Sequence, residues 1–147
     1  MLRYLHGNFF LEDNKKRSNS WSEWYGISLW RGNLKEVVEE RMKSGELDDY
    51  LVSLTPMVSP RLWLEACASY SKSLAESKQF RKAAGYLIAC HKIEEAIDLL
   101  ISADLYLEAL CIGRCRLNQD DAKIREILKS YAGWLSKNGS FSKACEW

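Results

Sequence analysis

The sequence predicts an all-α fold, an α-solenoid of antiparallel helical hairpins, and three observations carry that prediction. Only two prolines, Pro56 and Pro60, and eight glycines interrupt 147 residues, too little turn chemistry for a sheet of many short strands. Apolar residues recur three and four apart through most of the chain, the period of a helix face. A pattern also repeats: Phe80 stands three residues before Ala83, Ile93 before Ala96, Tyr106 before Ala109 and Phe141 before Ala144. The bulky members step by 13, 13 and 35 residues. A step of 13 is one helix of about three turns plus a tight turn. The alanine lets a neighbouring helix approach, and the bulky side chain fills the space beside it. Stacked hairpins of this kind are quasi-one-dimensional, and a repeat near 34 residues is TPR-like, although the full tetratricopeptide signature is absent.

Residues 1–22 read as an N-terminal segment and linker, polar from Glu12 onward, and 23–147 as the helical domain. The apolar stretch Trp21, Trp24, Tyr25, Ile27, Leu29 and Trp30 predicts a first helix packed hard on its successors in the chain. Asn33 with Glu36 three residues on is a capping-box pattern, continued by Leu34, Val37, Val38 and Met42 at helical spacing. Lys43-Ser44-Gly45 is a stop. A short helix over 46–54 is ended by Thr55-Pro56. Ser59-Pro60 then starts a helix with proline in its first turn, carrying Trp63, Ala66, Cys67, Tyr70 and Leu74 on one face to about Glu76. The repeating helices begin near Lys78. The step of 35 leaves room for a longer helix over 120–137 with Ile124, Ile127, Leu128, Tyr131 and Leu135 on its face. A last helix is expected from Ser140, cut after about two turns, so the domain reads as truncated at its C-terminal end, a fragment of a larger protein.

Composition narrows the function. Apolar residues are 47% and charged residues 28%, ordinary for a globular chain and unlike a disordered one. Twenty-one basic against 20 acidic side chains leave a net charge of +1, without the basic excess of a duplex-binding protein. No apolar run approaches the ~18 residues of a membrane span, and the first eleven residues lack the basic start and cleavage site of a signal peptide. Gly-rich phosphate loops, a nucleophile elbow and zinc-knuckle cysteine spacing are all missing. With two histidines and no nucleophile motif, the chain reads as a non-enzyme with no cofactor. Lys15, Lys16 and Arg17 read as solvated loop charge, with weak RNA contact as their functional alternative. The tryptophans read as core packing rather than base-stacking platforms.

Five cysteines, Cys67, Cys90, Cys111, Cys115 and Cys145, all fall in helical stretches. They read as buried free thiols. Cys111 and Cys115, four apart on one face, and the adjacent Cys90 and His91 are weighed as a metal site and read instead as packing residues. The stretch 105–117 is apolar around nearly its whole circumference, which predicts burial on both sides. It is expected either at the centre of the monomer or in a subunit interface, with Leu105, Ala109, Ile112 and Cys115 as the candidate contact residues.

The stretch Leu29-Trp30-Arg31-Gly32-Asn33-Leu34-Lys35 with Gly45-Glu46-Leu47 resembles the start of the central TPR-like domain of the Gemin-five family. The resemblance continues through Phe80-Arg81-Lys82-Ala83-Ala84, His91-Lys92-Ile93-Glu94-Glu95-Ala96 and Tyr106-Leu107-Glu108-Ala109 to Arg116-Leu117, over roughly residues 29–145. It implies a scaffold and homodimerisation module of an RNA-binding, WD-repeat subunit of the SMN complex. That subunit acts in snRNP assembly and translation control, in the cytoplasm and the nucleus. RNA would then be read mainly outside this fragment, by regions the chain does not contain, and other SMN-complex subunits would be its protein partners. Residues 104–117 fall where that family's dimer contacts are expected. Two other classes stay open on the residues alone: a solenoid of a WD-repeat coat or transport complex, and a direct RNA-binding helical module.

Overall fold

The computed structural model describes residues 21–139, and among them the regular elements are all helical. They are α1 (Trp21–Arg31), α2 (Leu34–Ser44), α3 (Asp49–Leu54), a 3-10 turn (Thr55–Met57), α4 (Pro60–Glu76), α5 (Phe80–Ala89), α6 (Ile93–Ser102), α7 (Tyr106–Arg116) and α8 (Ala122–Lys137). The expected helix after Ser140 and the Lys15-Lys16-Arg17 cluster lie outside the described residues. The chain forms two compact units, Met1–Tyr70 and Ser71–Trp147.

Most helices end by one device, the Schellman turn. The N–H of Gln79 donates to the Leu74 carbonyl at 2.8 Å and that of Lys78 to Ala75 at 3.0 Å. The pattern recurs at Lys92 to Leu87 with His91 to Ile88, and at Leu105 to Leu100 with Asp104 to Ile101. Lys78, His91 and Asp104 sit at φ 60, 63 and 59°, a left-handed conformation that costs a non-glycine residue about 1–2 kcal/mol. The 13-residue repeat is therefore a repeat of backbone as well as of side chains. Leu74, Leu87 and Leu100 are its buried leucines, and Ala83, Ala96 and Ala109 are completely buried. Gly32 and Gly45, also 13 apart, make the same turn with φ 77 and 71°.

The first unit corrects three expectations. Asn33 starts α2, but its side chain makes no capping bond. Its N–H is already spent on the Ser28 carbonyl at 3.1 Å, so Glu36 has nothing to reach back to. That bond holds Asn33 at ψ 17°, outside the extended region a side-chain cap needs. Asp48 caps α3 by accepting from the Leu51 N–H at 2.8 Å, which moves that helix's start from the expected 46 to 49. Ser59 Oγ accepts from the Leu62 N–H at 3.0 Å, as its sequence predicts. Tyr25, Leu34, Val38, Leu51 and Val52 form the core. Trp30, expected to pack, is 84% exposed: the buried face of α1 runs through Tyr25 and Ser28, and two residues past Ser28 is the opposite side. Trp63 and Trp134 are half-buried.

Burial first, then the charge and hydrogen bond of the Asp48 carboxylate, push the Tyr25 phenol from 10.0 up to about 12. Folding thus favours the protonated phenol. Its contribution is complete below pH 10 and fades as pH climbs through about 12, because the folded state holds the proton longer. Thermal melts of the parent should fall steeply across that window. In Tyr25→Phe the fall should be shallower. Parallel alkaline limbs in the two proteins would refute this assignment.

In the second unit each helix packs on its sequence neighbours, and α6 also meets α8. Consecutive helices joined by short turns run antiparallel, so α5 and α7 form one layer and α6 and α8 the other. The core draws on Ala84, Leu87, Ala96, Ile97, Leu100, Ala109, Leu110, Ile124 and Ile127. The fourth leucine position of the repeat is Gly113. A Cβ there would stand 3.2 Å from Ile127 Cδ1 and 3.4 Å from Ile124 Cγ1, so α8 closes in where a side chain is missing. The 13-residue step stops at this point. Leu117 leaves the helix extended, and Asp121 caps α8 by accepting from the Lys123 N–H at 2.8 Å.

Candidate functional site

The candidate contact residues on α7 separate into two sets. Ala109 lies wholly inside the unit's own core, with Leu110 and Gly113 beside it. Leu105 and Ile112 are half-buried and lean on the same core. Cys115 is exposed, as are Cys111 and Arg114, and Leu107 is 57% exposed. Among the described residues the helix is therefore covered by α6 and α8 on its inner side only, and the expected burial on both sides does not hold there. Leu107, Cys111, Arg114 and Cys115 repeat at four, three and one residues, one outward strip. The reading of Cys111 and Cys115 as buried thiols is corrected by the same fact, while Cys67 is buried as expected.

Beside this strip, α5 and α7 leave an apolar groove of about 310 Å³. Ala84, Gly85 and Ile88 form one wall, Cys111 and Ile112 the other, and Leu100 of α6 lies at the floor. Its origin is local. α5 and α7 are not neighbours in sequence, and both rest on α6. Two of the residues that α5 turns toward the opening, Ala84 and Gly85, are small, and a Cβ on Gly85 would meet nothing within 4 Å. Sequence reasoning missed Gly85 and Ile88. The available signal was a glycine inside a helix, with no turn to explain it.

Charge closes one end of the groove. Arg81 Nε and Nη2 donate to Glu108 Oε1 at 2.9 and 2.6 Å, tying α5 to α7 across 27 residues. The Arg81 hydrogen bond holds the Glu108 carboxyl below its usual range. A matching tie joins the other layer, where Lys123 Nζ reaches Asp98 Oδ1 at 2.6 Å and Glu126 Oε2 at 3.1 Å. Tyr131 stacks on Tyr106 and on Trp134 with centroid separations of 5.5 and 6.3 Å, and Tyr106 meets Trp134 tilted at 5.9 Å, locking the start of α7 to the end of α8. No group of three or more His, Cys, Asp or Glu side chains gathers among the described residues, and no helix there is long and apolar enough to cross a membrane. What the arrangement offers chemically is a surface: an apolar slot, an ion pair at its end and an outward strip with two thiols.

Comparison with known proteins places this surface in context. The chain matches the GEMI5 TPR domain family over residues 3–146. It is similar to "Gem-associated protein 5" of Mus musculus, 36% identical over 120 residues, and of Homo sapiens, 34% identical over 120 residues, each match covering 82% of this chain. It is also similar to "Gem-associated protein 5" of Drosophila melanogaster, 32% identical over 111 residues, 76% of this chain. The chain spans about 8% of the length of the mouse and human relatives and 9% of the fly protein.

Proposed function

The chain belongs to the GEMI5 TPR domain family, and from that premise we propose that it is a helical scaffold and homodimerisation module. The protein it serves would be an RNA-binding SMN-complex subunit acting in snRNP assembly and translation control. The observation that carries the proposal is the open side of α7. Between its charged residues Glu108, Arg114 and Arg116, the helix leaves Leu107 and Cys111 exposed, next to an apolar groove. Such a face is suited to another protein surface. A second copy of this chain is the occupant the resemblance implies. The role is assembly rather than catalysis, RNA is held mainly by other regions of the whole protein, and other SMN-complex subunits bind around the scaffold. Its place of action is the cytoplasm and the nucleus.

Light scattering coupled to size exclusion tests this. The purified chain should show a mass near twice 17.0 kDa that falls toward one chain on dilution. Leu107→Glu, on the open face, should shift that equilibrium to the monomer with unchanged helix content. A single-chain mass at every loading concentration would overturn self-association through this module.

A further inference from the structure

The open strip of α7 carries more than apolar contact. Cys111 and Cys115 are both exposed and stand one turn apart on one side of a regular helix. At that spacing the two Cβ atoms are about 5–6 Å apart. A disulfide needs Cβ atoms at about 3.5–4.5 Å, so the pair cannot oxidise internally while α7 stays helical. A bridging metal has a wider bite. With metal–sulfur bonds near 2.3 Å, tetrahedral coordination holds two sulfurs at roughly 3.8 Å, which side chains one turn apart reach by rotation about χ1. The spacing that forbids the disulfide is the spacing that two-ligand helical metal motifs use.

We propose that Cys111 and Cys115 form a bidentate thiolate site for a soft divalent cation of the zinc and cadmium class. Each thiol releases its proton to solvent as its sulfur bonds the cation. Soft sulfur donors select such ions over magnesium or calcium. The described residues place no third protein donor there, so the two remaining positions fall to solvent or to small thiols. Where two copies meet over α7, they fall to the other copy's pair. The site itself requires only one chain and stands whether or not the chain self-associates. The remaining described thiols are occupied differently. Cys67 is buried. Cys90 donates to the Leu87 carbonyl at 3.3 Å, and burial pushes its pKa up.

Cadmium titration of the reduced chain, followed by its sulfur-to-metal charge-transfer absorbance, is the test. Cys90→Ser/Cys145→Ser should keep a tight site. Adding Cys111→Ser or Cys115→Ser should each weaken it by at least about 100-fold, since losing one thiolate loses the effective concentration of the second bond. Both positions are exposed, so circular dichroism should report unchanged helix. Equal cadmium affinity with and without the pair, or only weak binding by the parent, overturns the site. Scattering mass, read on the same samples, reports self-association separately.

Discussion

Ala109→Glu should unfold the second unit instead of yielding a folded monomer. Ala109 has no exposed surface, and its N–H donates to the Leu105 carbonyl at 3.0 Å in the first turn of α7. A glutamate there meets Ala96, Ile97 and Ile127, all fully buried. No cation belongs to that cluster. A buried charge stripped of its partner costs about 3–5 kcal/mol, and forcing extra atoms into a packed core adds about 1–3 kcal/mol. Domains of this kind are stable by about 5–15 kcal/mol, so one substitution consumes most of the margin. Ala83→Glu and Ala96→Glu occupy the same position of the repeat and should behave alike. Far-UV circular dichroism with thermal melting checks this. A cooperative, near-parental melt in Ala109→Glu would mean that α7 can turn this face outward, and the assignment of Ala109 to the core would be wrong.

The repeat was legible because burial writes it into residue types. Ala83, Ala96 and Ala109 are completely buried, so the spacing of alanine behind a bulky residue finds them, whereas Leu74, Leu87 and Leu100 emerge as a repeat only with the turns. The turns between them were not legible. Gln79, Lys92 and Leu105 begin helices without a side-chain cap, because the Schellman bond of the helix before holds them at ψ 56, 62 and 57°, outside the extended region a capping side chain needs. No Ser, Thr, Asp or Asn is required there, and the left-handed residue ahead is Lys, His or Asp rather than glycine. Backbone bonds replaced the signals that sequence reading relies on. The Asn33 capping box failed for the same reason, its residue types present and its donor already used.

The outward strip of α7 was legible only as one of two alternatives, for a different reason. Counting apolar residues around a helix treats Leu107, Cys111 and Cys115 as demanding cover. Cover depends on how many neighbours the stack supplies. Among the described residues, α7 receives them from α6 and α8 on its inner side only, and the groove toward α5 stays open there because Gly85 and Ala84 are small. Spacing within one helix cannot count the helices beside it.

The same geometry sets the second large effect, Leu100→Ala, and decides its size. Leu100 is 1% exposed, so truncation removes about 2–5 kcal/mol of stability, with cost rising with the cavity left behind. The surroundings argue for the upper half of that range. Ile97 and Ile127 are fully buried and stiff at χ1. The backbone at Leu100 is also pinned, since its carbonyl accepts from the Leu105 N–H at 2.9 Å and the Ala103 N–H at 3.2 Å. Neither the isoleucines nor the turn can slide in to fill the gap. At roughly 4–8 °C per kcal/mol for a unit this size, the melting temperature should fall by roughly 14–40 °C. Leu107→Ala, the same chemistry on the open strip, should stay within about 0.5 kcal/mol of the parent. If Leu100→Ala loses less than about 1 kcal/mol, well under the usual cost of such a truncation, the groove floor collapses into the space, and water or the α5 side chains reach it more easily than this packing allows.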